Sequence, residues 1–229
     1  MTDLREALRG RVIVSVQAPD GHPMRDTHTL AHVAQACARA GTPAIRCGGY
    51  GGLADIRAIA EATGLPVFGL TKEGSEGVYI TPSVASVRAV AEAGAAVVCA
   101  DSTFREPADG SSLAERIAAA HEAGTLYMAD CATPEEIAHA AEQGADIVST
   151  TLAGYTEHRA PTEGPDLECL SRARELLGPE PFLIAEGRYH SPAQVAEAFE
   201  KGADAVIVGT AITDPQWITA QFLTVGPAR

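Results

Sequence analysis

The feature that most constrains the fold of this chain is an eightfold alternation of short apolar runs with segments of helical composition. The apolar runs are residues 11–17, 43–46, 66–72, 96–101, 125–130, 146–151, 182–186 and 205–209. The helical segments that follow them are residues 26–40, 53–63, 83–93, 111–123, 133–143, 166–177, 191–201 and 215–223. Nearly continuous apolar strands separated by helices predict a parallel sheet covered by helices. Eight units favour closure into a (β/α)8 TIM barrel over an open doubly wound sheet, because closure leaves no edge strand.

The ends of the helical segments support this division of the chain. A glycine follows seven of the helical runs, at positions 41, 64, 94, 124, 144, 178 and 202. Glycine closes a helix readily because it adopts the left-handed conformation without steric cost. Thr81-Pro82, Thr133-Pro134, Ser191-Pro192 and Asp214-Pro215 are predicted helix starts, each with an N-cap oxygen before a proline.

Composition predicts one compact domain over residues 1–229 in the cytoplasm. The chain is 46% hydrophobic, shows no signal-peptide pattern and contains no uninterrupted 18-residue apolar segment, so neither export nor a membrane span is expected. Its five cysteines are widely spaced and lack a C-x-x-C pair, which argues against a disulfide framework or a zinc site. A net charge of −13 disfavours nucleic acid and anionic membranes as partners. An anionic small molecule would therefore need a locally basic pocket.

Polar residues end most of the predicted strands. In a barrel, the carboxyl ends of the strands meet at one mouth, where the active site lies. The sequence therefore predicts that widely separated residues become neighbours there: Gln17, Arg46, Lys72, Asp101, Asp130, Thr150, Thr151, Glu186 and Gly209.

Lys72 and Glu186 are the predicted catalytic residues. Lys72 is one of two lysines among 17 basic residues, and the other, Lys201, lies in the last turn of a helix. A lysine that is partly desolvated near other cations can lose its proton and act as a base, which arginine cannot do. Two alternatives stay open from the residues alone: Lys72 is a solvated strand-end lysine, or Glu186 merely pairs with Arg188.

The loops after the last two strands predict a phosphate site. Barrels often bind phosphate there, and these loops contain Gly187-Arg188 and Gly209-Thr210. Arg46, Arg105 and Arg188 would supply positive charge at the mouth; alternatively, they pair with Asp101 or Asp130, and Gly209 marks a plain tight turn.

Other motifs carry less functional information. His28 and His32 lie four residues apart on a predicted helix, but no third ligand is evident, so no metal site is predicted. The glycine-rich segment 48–52 lacks the Lys-Ser/Thr of a phosphate loop and is expected to be a flexible strand-to-helix loop. Cys99 and Cys131 fall inside apolar strands and are expected in the core.

Several ordered motifs resemble the N-acetylmannosamine-6-phosphate 2-epimerase family. They are Leu-Thr-Lys72, Val-Tyr-Ile-Thr-Pro82, Ala-Asp101-Ser-Thr103, Ala-Asp130-Cys-Ala-Thr133, Ser-Thr-Thr-Leu-Ala-Gly-Tyr-Thr156, Ile-Ala-Glu186-Gly-Arg188 and Val-Gly-Thr-Ala-Ile-Thr213-Asp-Pro215. The resemblance implies a cytosolic barrel enzyme of sialic acid catabolism that needs no metal or nucleotide cofactor and interconverts N-acetylmannosamine 6-phosphate and N-acetylglucosamine 6-phosphate. It implies Lys72 and Glu186 as the acid/base pair.

For substrate binding, the resemblance implies polar contacts from Gln17, Arg46 and Asp130. We add Thr151 and the two predicted phosphate loops, Gly187-Arg188 and Gly209-Thr210, to the expected binding set. The expected partner is a small amino-sugar phosphate, and a homo-oligomer is possible.

The sequence departs from the family pattern at the expected phosphate end. Asp214 stands where the family commonly has arginine, and the basic run after Asp101 is reduced to Phe104-Arg105-Glu106. These departures leave open an epimerase of an unphosphorylated or differently decorated sugar. Two rival functions also stay open: another phosphate-handling barrel isomerase or lyase, for which Lys72 could form a Schiff base, and an inactive sugar-phosphate sensor.

Overall fold

The computed structural model, which describes residues 3–225, contains a closed barrel of eight parallel strands in the order β1 to β8. The strands are β1 Arg11–Val16, β2 Ile45–Gly49, β3 Val67–Thr71, β4 Val97–Asp101, β5 Leu126–Asp130, β6 Ile147–Ser149, β7 Phe182–Glu186 and β8 Ala205–Val208. Each strand pairs in parallel with the next, and β8 closes onto β1 through the pairing of Ile13 with Ile207. The predicted (β/α)8 barrel is confirmed.

Helices surround the barrel as the alternation predicts. They are α1 Leu4–Leu8, α2 Thr27–Arg39, α3 Gly52–Thr63, α4 Val84–Glu92, α5 Leu113–Glu122, α6 Pro134–Glu142, α7 Leu167–Leu177, α8 Pro192–Glu200, α9 Thr210–Thr213 and α10 Pro215–Leu223. The sequence predicted neither α1 nor the single turn α9, because both are too short to show helical periodicity. None of the helices between residues 3 and 225 is long and apolar enough to cross a bilayer.

The strand side chains alternate between two cores. One core lies between strands and helices and includes Val14, Cys47, Val98 and Leu183. The other fills the barrel, with Ile13, Phe68, Val97, Cys99, Met128, Ile147, Ile184 and Ile207 from the strands and Leu8 from α1 at the amino-terminal end. Because side chains alternate strictly along a strand, the inward series continues toward the carboxyl ends into polar residues. These are Ser15, Arg46, Lys72, Asp101, Asp130, Ser149, Thr151 and Glu186.

The glycine-rich segment 48–52 differs from its prediction. Gly48 and Gly49 are the last residues of β2, paired with Leu70 and Thr71, and Gly52 begins α3. A Cβ at Gly48 would lie 2.0 Å from the carbonyl oxygen of Leu70, so only glycine lets β2 continue beside β3. The predicted strand-to-helix loop is thus confined to residues 50–51, and the prediction was wrong for Gly48 and Gly49, which belong to β2.

One of the four predicted helix starts was also wrong. Thr81 does not cap α4; it has a φ of 43° and its buried hydroxyl donates to the carbonyl oxygen of Cys99 at 2.7 Å. Ser83 is the N-cap instead, accepting from the backbone N–H of Ser86. Thr133, Ser191 and Asp214 cap α6, α8 and α10 as predicted.

Candidate active site

A cavity of about 380 Å³ lies at the carboxyl ends of the strands, within the range usual for small-molecule sites. It brings together most of the residues that the sequence proposed for the site. Those that line it are Gln17, Arg46, Lys72, Thr151, Glu186, Gly187, Arg188, Gly209 and Thr210. Asp130 does not line it, since its side chain is fully buried behind Arg46.

Arg46 and Asp130 form a buried ion pair beneath the cavity. The guanidinium donates from Nη1 to Oδ1 of Asp130 at 3.1 Å and from Nη2 to Oδ2 at 2.6 Å. Its Nε lies 3.3 Å from Oε1 of Glu186. Bidentate pairing fixes the plane of the guanidinium, so Arg46 presents a defined edge to Glu186. Direct contact of Asp130 with a substrate stays a prediction, and the contacts seen for Asp130 are to Arg46 and Ser149.

Glu186, the last residue of β7, is held by two threonines that directly follow β6. The hydroxyl of Thr151 donates to Oε2 of Glu186 at 2.8 Å. The hydroxyl of Thr150 donates to the backbone oxygen of Glu186 and accepts from its N–H. Burial raises the pKa of the Glu186 carboxyl above its ordinary value; Arg46 opposes this rise and the charge of Asp130 adds to it. Glu186 can therefore hold a proton at a higher pH than a free glutamate.

Lys72 follows β3 and faces the same cavity. Its backbone N–H donates to the carbonyl oxygen of Gly49, and its ammonium lies 5.4 Å from the centre of the Tyr50 ring. Burial and the charge of Arg46 lower the pKa of Lys72 below its ordinary value, and Glu186 acts in the opposite direction. Lys72 thus loses its proton more readily than a solvated lysine, which makes it a better base.

Gln17 presents an unpaired oxygen at the cavity. Its amide nitrogen donates to Ser15 at 2.9 Å, while its Oε1 is buried and has no hydrogen-bond partner among residues 3–225. A Cβ at Gly49 would lie 2.6 Å from this oxygen, so the glycine makes room for the Gln17 amide. A buried acceptor left free in this way suits an N–H or O–H of a ligand.

Two glycines provide a close approach to the backbone at the predicted phosphate end. Gly187 has a φ of 113°, which other residues rarely adopt. Gly209 lies against β1, where a Cβ would come 3.3 Å from the Cβ of Ser15. Thr210 begins α9 directly after it. The backbone here is thus exposed to the cavity as phosphate binding requires, although the phosphate contact itself stays a prediction.

The Arg188 side chain is engaged elsewhere. Its guanidinium donates to the carbonyl oxygens of Ala153 and Gly164, each at 2.9 Å, and to the hydroxyl of Thr162 at 3.0 Å. It also lies 5.0 Å from the centre of the Tyr155 ring. These contacts tie down the long loop between β6 and α7, so the side chain of Arg188 organises the wall of the cavity. Its expected contact with phosphate stays a prediction.

Two other charged groups answer questions left open by the sequence. Arg105 pairs with Asp101 at 2.5 Å, which is the ion pair that the sequence analysis gave as the alternative to a role in phosphate binding. Asp214 lines the cavity, caps α10 by accepting from the N–H of Trp217 at 3.0 Å, and lies 3.4 Å from Nε2 of His22. The mouth therefore carries an acidic group near the predicted phosphate end.

Metal binding finds no support within residues 3–225, where no group of three His, Cys, Asp or Glu residues is arranged to hold an ion. The rings of His28 and His32 pack edge to face, with their centres 4.3 Å apart.

Sequence reasoning missed Ser149 and Tyr50. Ser149 is fully buried and contacts both Asp130 and Thr151. Ser149 lies two residues before Thr151 at the end of the predicted strand 146–151, and this spacing could have identified it, because residues two apart face the same side of a strand. Tyr50 follows β2 and gave no signal, since its position against Lys72 depends on the tertiary structure.

Comparison with known proteins identifies the family of this chain. A family model described as "Putative N-acetylmannosamine-6-phosphate epimerase" matches residues 30–225. A Corynebacterium glutamicum (strain R) protein named "Putative N-acetylmannosamine-6-phosphate 2-epimerase" is 67% identical over 215 residues, covering 94% of this chain and 92% of its own length. A protein of the same name from Cutibacterium acnes is 45% identical over 217 residues, covering 94% and 93%.

A solved structure extends the similarity to three dimensions. The N-acetylmannosamine-6-phosphate 2-epimerase of Clostridium perfringens superposes with a TM-score of 0.91 at 32% sequence identity. The match covers 98% of this chain and 96% of that one. The chain belongs to the N-acetylmannosamine-6-phosphate epimerase family.

Proposed function

We propose that this protein is an isomerase that interconverts N-acetylmannosamine 6-phosphate and N-acetylglucosamine 6-phosphate by proton transfer at C2. Family membership supports the reaction, and one structural observation supports the way it is carried out. Lys72 and Glu186 face the same cavity, and burial lowers the pKa of the first and raises the pKa of the second. Two groups whose pKa values are moved toward each other are suited to exchange protons near neutral pH.

The reaction itself sets the requirements for the two groups. The two sugars differ only in configuration at C2, so the pyranose opens to the aldehyde, the C2 proton leaves, and a proton returns to the opposite face. Neutral Lys72 takes the C2 proton, because an amine with a lowered pKa is the available base. Glu186 carries the second proton transfer, either at the ring oxygen during opening or on the other face of C2. General acid/base help of this kind contributes about 10²–10⁴-fold.

The charges around the site balance in both protonation states. With Lys72 neutral and Glu186 protonated, Arg46 and Asp130 compensate each other. With Lys72 protonated and Glu186 ionised, the same pair still cancels and the two catalytic groups cancel as well. A proton can therefore pass from one catalytic group to the other, through the substrate, without leaving net charge in a buried site.

The groups at the cavity that are not engaged by other parts of the protein are the ones expected to bind the substrate. The unpaired Oε1 of Gln17 accepts a hydrogen bond from the substrate, and Arg46 supplies positive charge beside the reacting groups. The backbone near Gly187 and Gly209, together with Thr210, holds the phosphate. Thr151 acts mainly on Glu186.

Turnover in deuterated water tests the function. Wild-type protein given N-acetylmannosamine 6-phosphate should form N-acetylglucosamine 6-phosphate with deuterium at C2, followed by proton NMR. The unphosphorylated sugar is the matched comparison and should react at least tenfold more slowly. Binding without C2 exchange would instead indicate a sensor, and a substrate adduct trapped on Lys72 by borohydride would indicate a Schiff-base enzyme.

Glu186→Gln separates the two possible tasks of this residue. If Glu186 serves C2, the variant exchanges the C2 proton of the substrate for deuterium but does not invert the carbon. If Glu186 opens the ring, exchange and inversion are lost together. Glu197→Gln, on the surface helix α8, is the control and should behave like wild type.

Self-association and a cytoplasmic location stay predictions. Helix α10 exposes Phe222 and Leu223, which supports contact with a second copy of the chain. Light scattering on the purified protein measures this directly.

A further inference from the structure

The carboxylate of Glu186 is connected to Asp130 through two hydroxyl groups. Thr151 Oγ1 lies 2.8 Å from Oε2 of Glu186 and 2.8 Å from Oγ of Ser149. Ser149 Oγ in turn lies 3.2 Å from Oδ1 of Asp130 and 3.1 Å from the backbone oxygen of Ala129. Ser149 is fully buried and cannot touch a substrate, so any effect it has on the reaction passes through its neighbours.

When Glu186 is ionised, the hydroxyls can point toward it. Thr151 has one hydroxyl proton, and the carboxylate can only accept, so Thr151 donates to Glu186. The Thr151 oxygen is then free to accept from Ser149. In this state the two hydroxyls support a negative charge on Glu186.

When Glu186 holds a proton, the same atoms can reverse their direction. The protonated carboxyl donates to Thr151, Thr151 donates to Ser149, and Ser149 donates to Asp130 or to the oxygen of Ala129. Every hydrogen again has an acceptor. A buried hydroxyl or carboxyl proton without an acceptor would carry a desolvation penalty, so this reversal removes a barrier to protonation.

Among residues 3–225, the ionisable side chains that act electrostatically on Glu186 cannot replace the hydroxyls in this task. Arg46 on β2 and the ammonium of Lys72 after β3 only donate hydrogen bonds, so both favour the ionised form. Asp130 on β5 has both oxygens bonded to Arg46 and is reached through Ser149. Cys99 on β4 is a buried thiol whose pKa is raised well above its ordinary value, and it is uncharged.

We propose that Ser149 and Thr151 form a reversible hydroxyl relay that positions Glu186 and satisfies its carboxyl group in both protonation states. This inference rests on the proposed function, in which Glu186 gains and loses a proton in each cycle. Ser149 and Thr151 are positioning residues in this scheme, and the proton that reaches C2 or the ring oxygen comes from Glu186.

The pH dependence of kcat tests the relay, because each hydroxyl contributes more to one protonation state of Glu186 than to the other. Below the pKa of Glu186 both catalytic groups are protonated and no base remains, so the acid limb of the kcat profile follows Glu186. Thr151→Val removes a hydrogen-bond partner of Glu186 in both states, but the bond to the ionised carboxylate is the stronger one, so the limb should move to higher pH. In Ser149→Ala, Thr151 can still donate to the ionised carboxylate, but in the protonated state the Thr151 hydroxyl proton has lost its acceptor, so the limb should move to lower pH. One lost hydrogen bond corresponds to a shift of about 0.5–1 pH unit.

Three controls make the result interpretable. Thr151→Ser keeps the hydroxyl and should restore the wild-type limb. Ser102→Ala removes another buried hydroxyl, one that bonds Tyr127 and Ala100, and should leave the limb in place. Ser149→Cys keeps a weak donor and acceptor, so it should shift the limb in the direction of Ser149→Ala by less and reports the sign if the alanine variant does not fold.

The outcomes separate the relay from the proposed function. All variants are measured at saturating concentration of the same sugar phosphate, so the ionisation of the substrate is common to them. Opposite shifts of the acid limb support the relay. The relay would be overturned if kcat fell without a shift of the acid limb, or if both variants shifted the limb in the same direction. Turnover by the wild-type protein would still support the proposed function in either case. A wild-type protein without turnover would remove the function itself.

Discussion

The two halves of the barrel interior are built by the same strands and differ almost completely in chemistry. At the amino-terminal end, the side chains pack in an apolar core and are fully buried; they include Leu8, Ile13, Phe68 and Met128. One or two inward positions further along, the side chains are Arg46, Lys72, Asp130, Ser149 and Glu186. Burying an apolar side chain contributes about 1.5–3 kcal/mol, whereas burying an ion pair contributes little net stability. The amino-terminal end of the barrel interior therefore contributes most to stability, and the carboxyl-terminal end holds the predicted catalytic residues.

Arg46→Met should give the largest effect on both stability and activity. It leaves Asp130 buried without its partner, which costs about 3–5 kcal/mol of the free energy of unfolding. Urea denaturation measures this loss, and turnover should fall below detection because Glu186 also loses its neighbour.

The double variant Arg46→Met/Asp130→Leu makes the mouth resemble the amino-terminal core. It should recover most of the lost stability, since both buried charges are gone, and it should stay inactive. If the double variant were as unstable as the single variant, the ion pair itself would stabilise the barrel, which would contradict its small expected contribution to stability.

Leu8→Ala tests the other end of the barrel. Removing this side chain opens a cavity in the apolar core and should cost about 2–5 kcal/mol of the free energy of unfolding. At a temperature where the variant stays folded, kcat should match wild type within about twofold, because no active-site contact changes. A large drop in kcat per folded molecule would mean that the two ends are mechanically coupled.

Asp214→Asn should have the smallest effect, and it tests the predicted phosphate end of the mouth. Asparagine keeps the N-cap of α10, so stability should change by only a few tenths of a kcal/mol. Removing the negative charge should lower KM for the phosphorylated sugar about two- to fivefold, as expected for one solvated charge near an anion. KM for the unphosphorylated sugar is the internal control and should not move.

Much of this architecture was predictable from the sequence because it depends on local patterns. Apolar runs gave the strands, and the caps Thr133, Ser191 and Asp214 gave helix starts. The meeting of Lys72 with Glu186 followed from barrel closure alone, which brings strand ends together whatever their separation in sequence.

The remaining features depend on contacts that no local pattern encodes. The glycine-rich segment 48–52 was expected to be a loop, whereas Gly48 lies in β2 and is required there by the close approach of Leu70. Arg188 was expected to face phosphate, and only the folded loop shows that its guanidinium binds the carbonyl oxygens of Ala153 and Gly164. Ser149 is chemically ordinary, and its significance comes from the two side chains that flank it in space.

The most direct test of the central claim compares the chain's two lysines. Lys72→Met and Lys201→Met each remove one ammonium, the first at the mouth and the second at the end of α8. In deuterated water with N-acetylmannosamine 6-phosphate, Lys201→Met should incorporate deuterium at C2 at the wild-type rate. Lys72→Met should lose at least 10²-fold in both C2 exchange and epimer formation. If C2 exchange and turnover persisted in Lys72→Met, Lys72 would not be the base. The claim that the carboxyl-terminal end of the barrel holds the catalytic base would then fail as well.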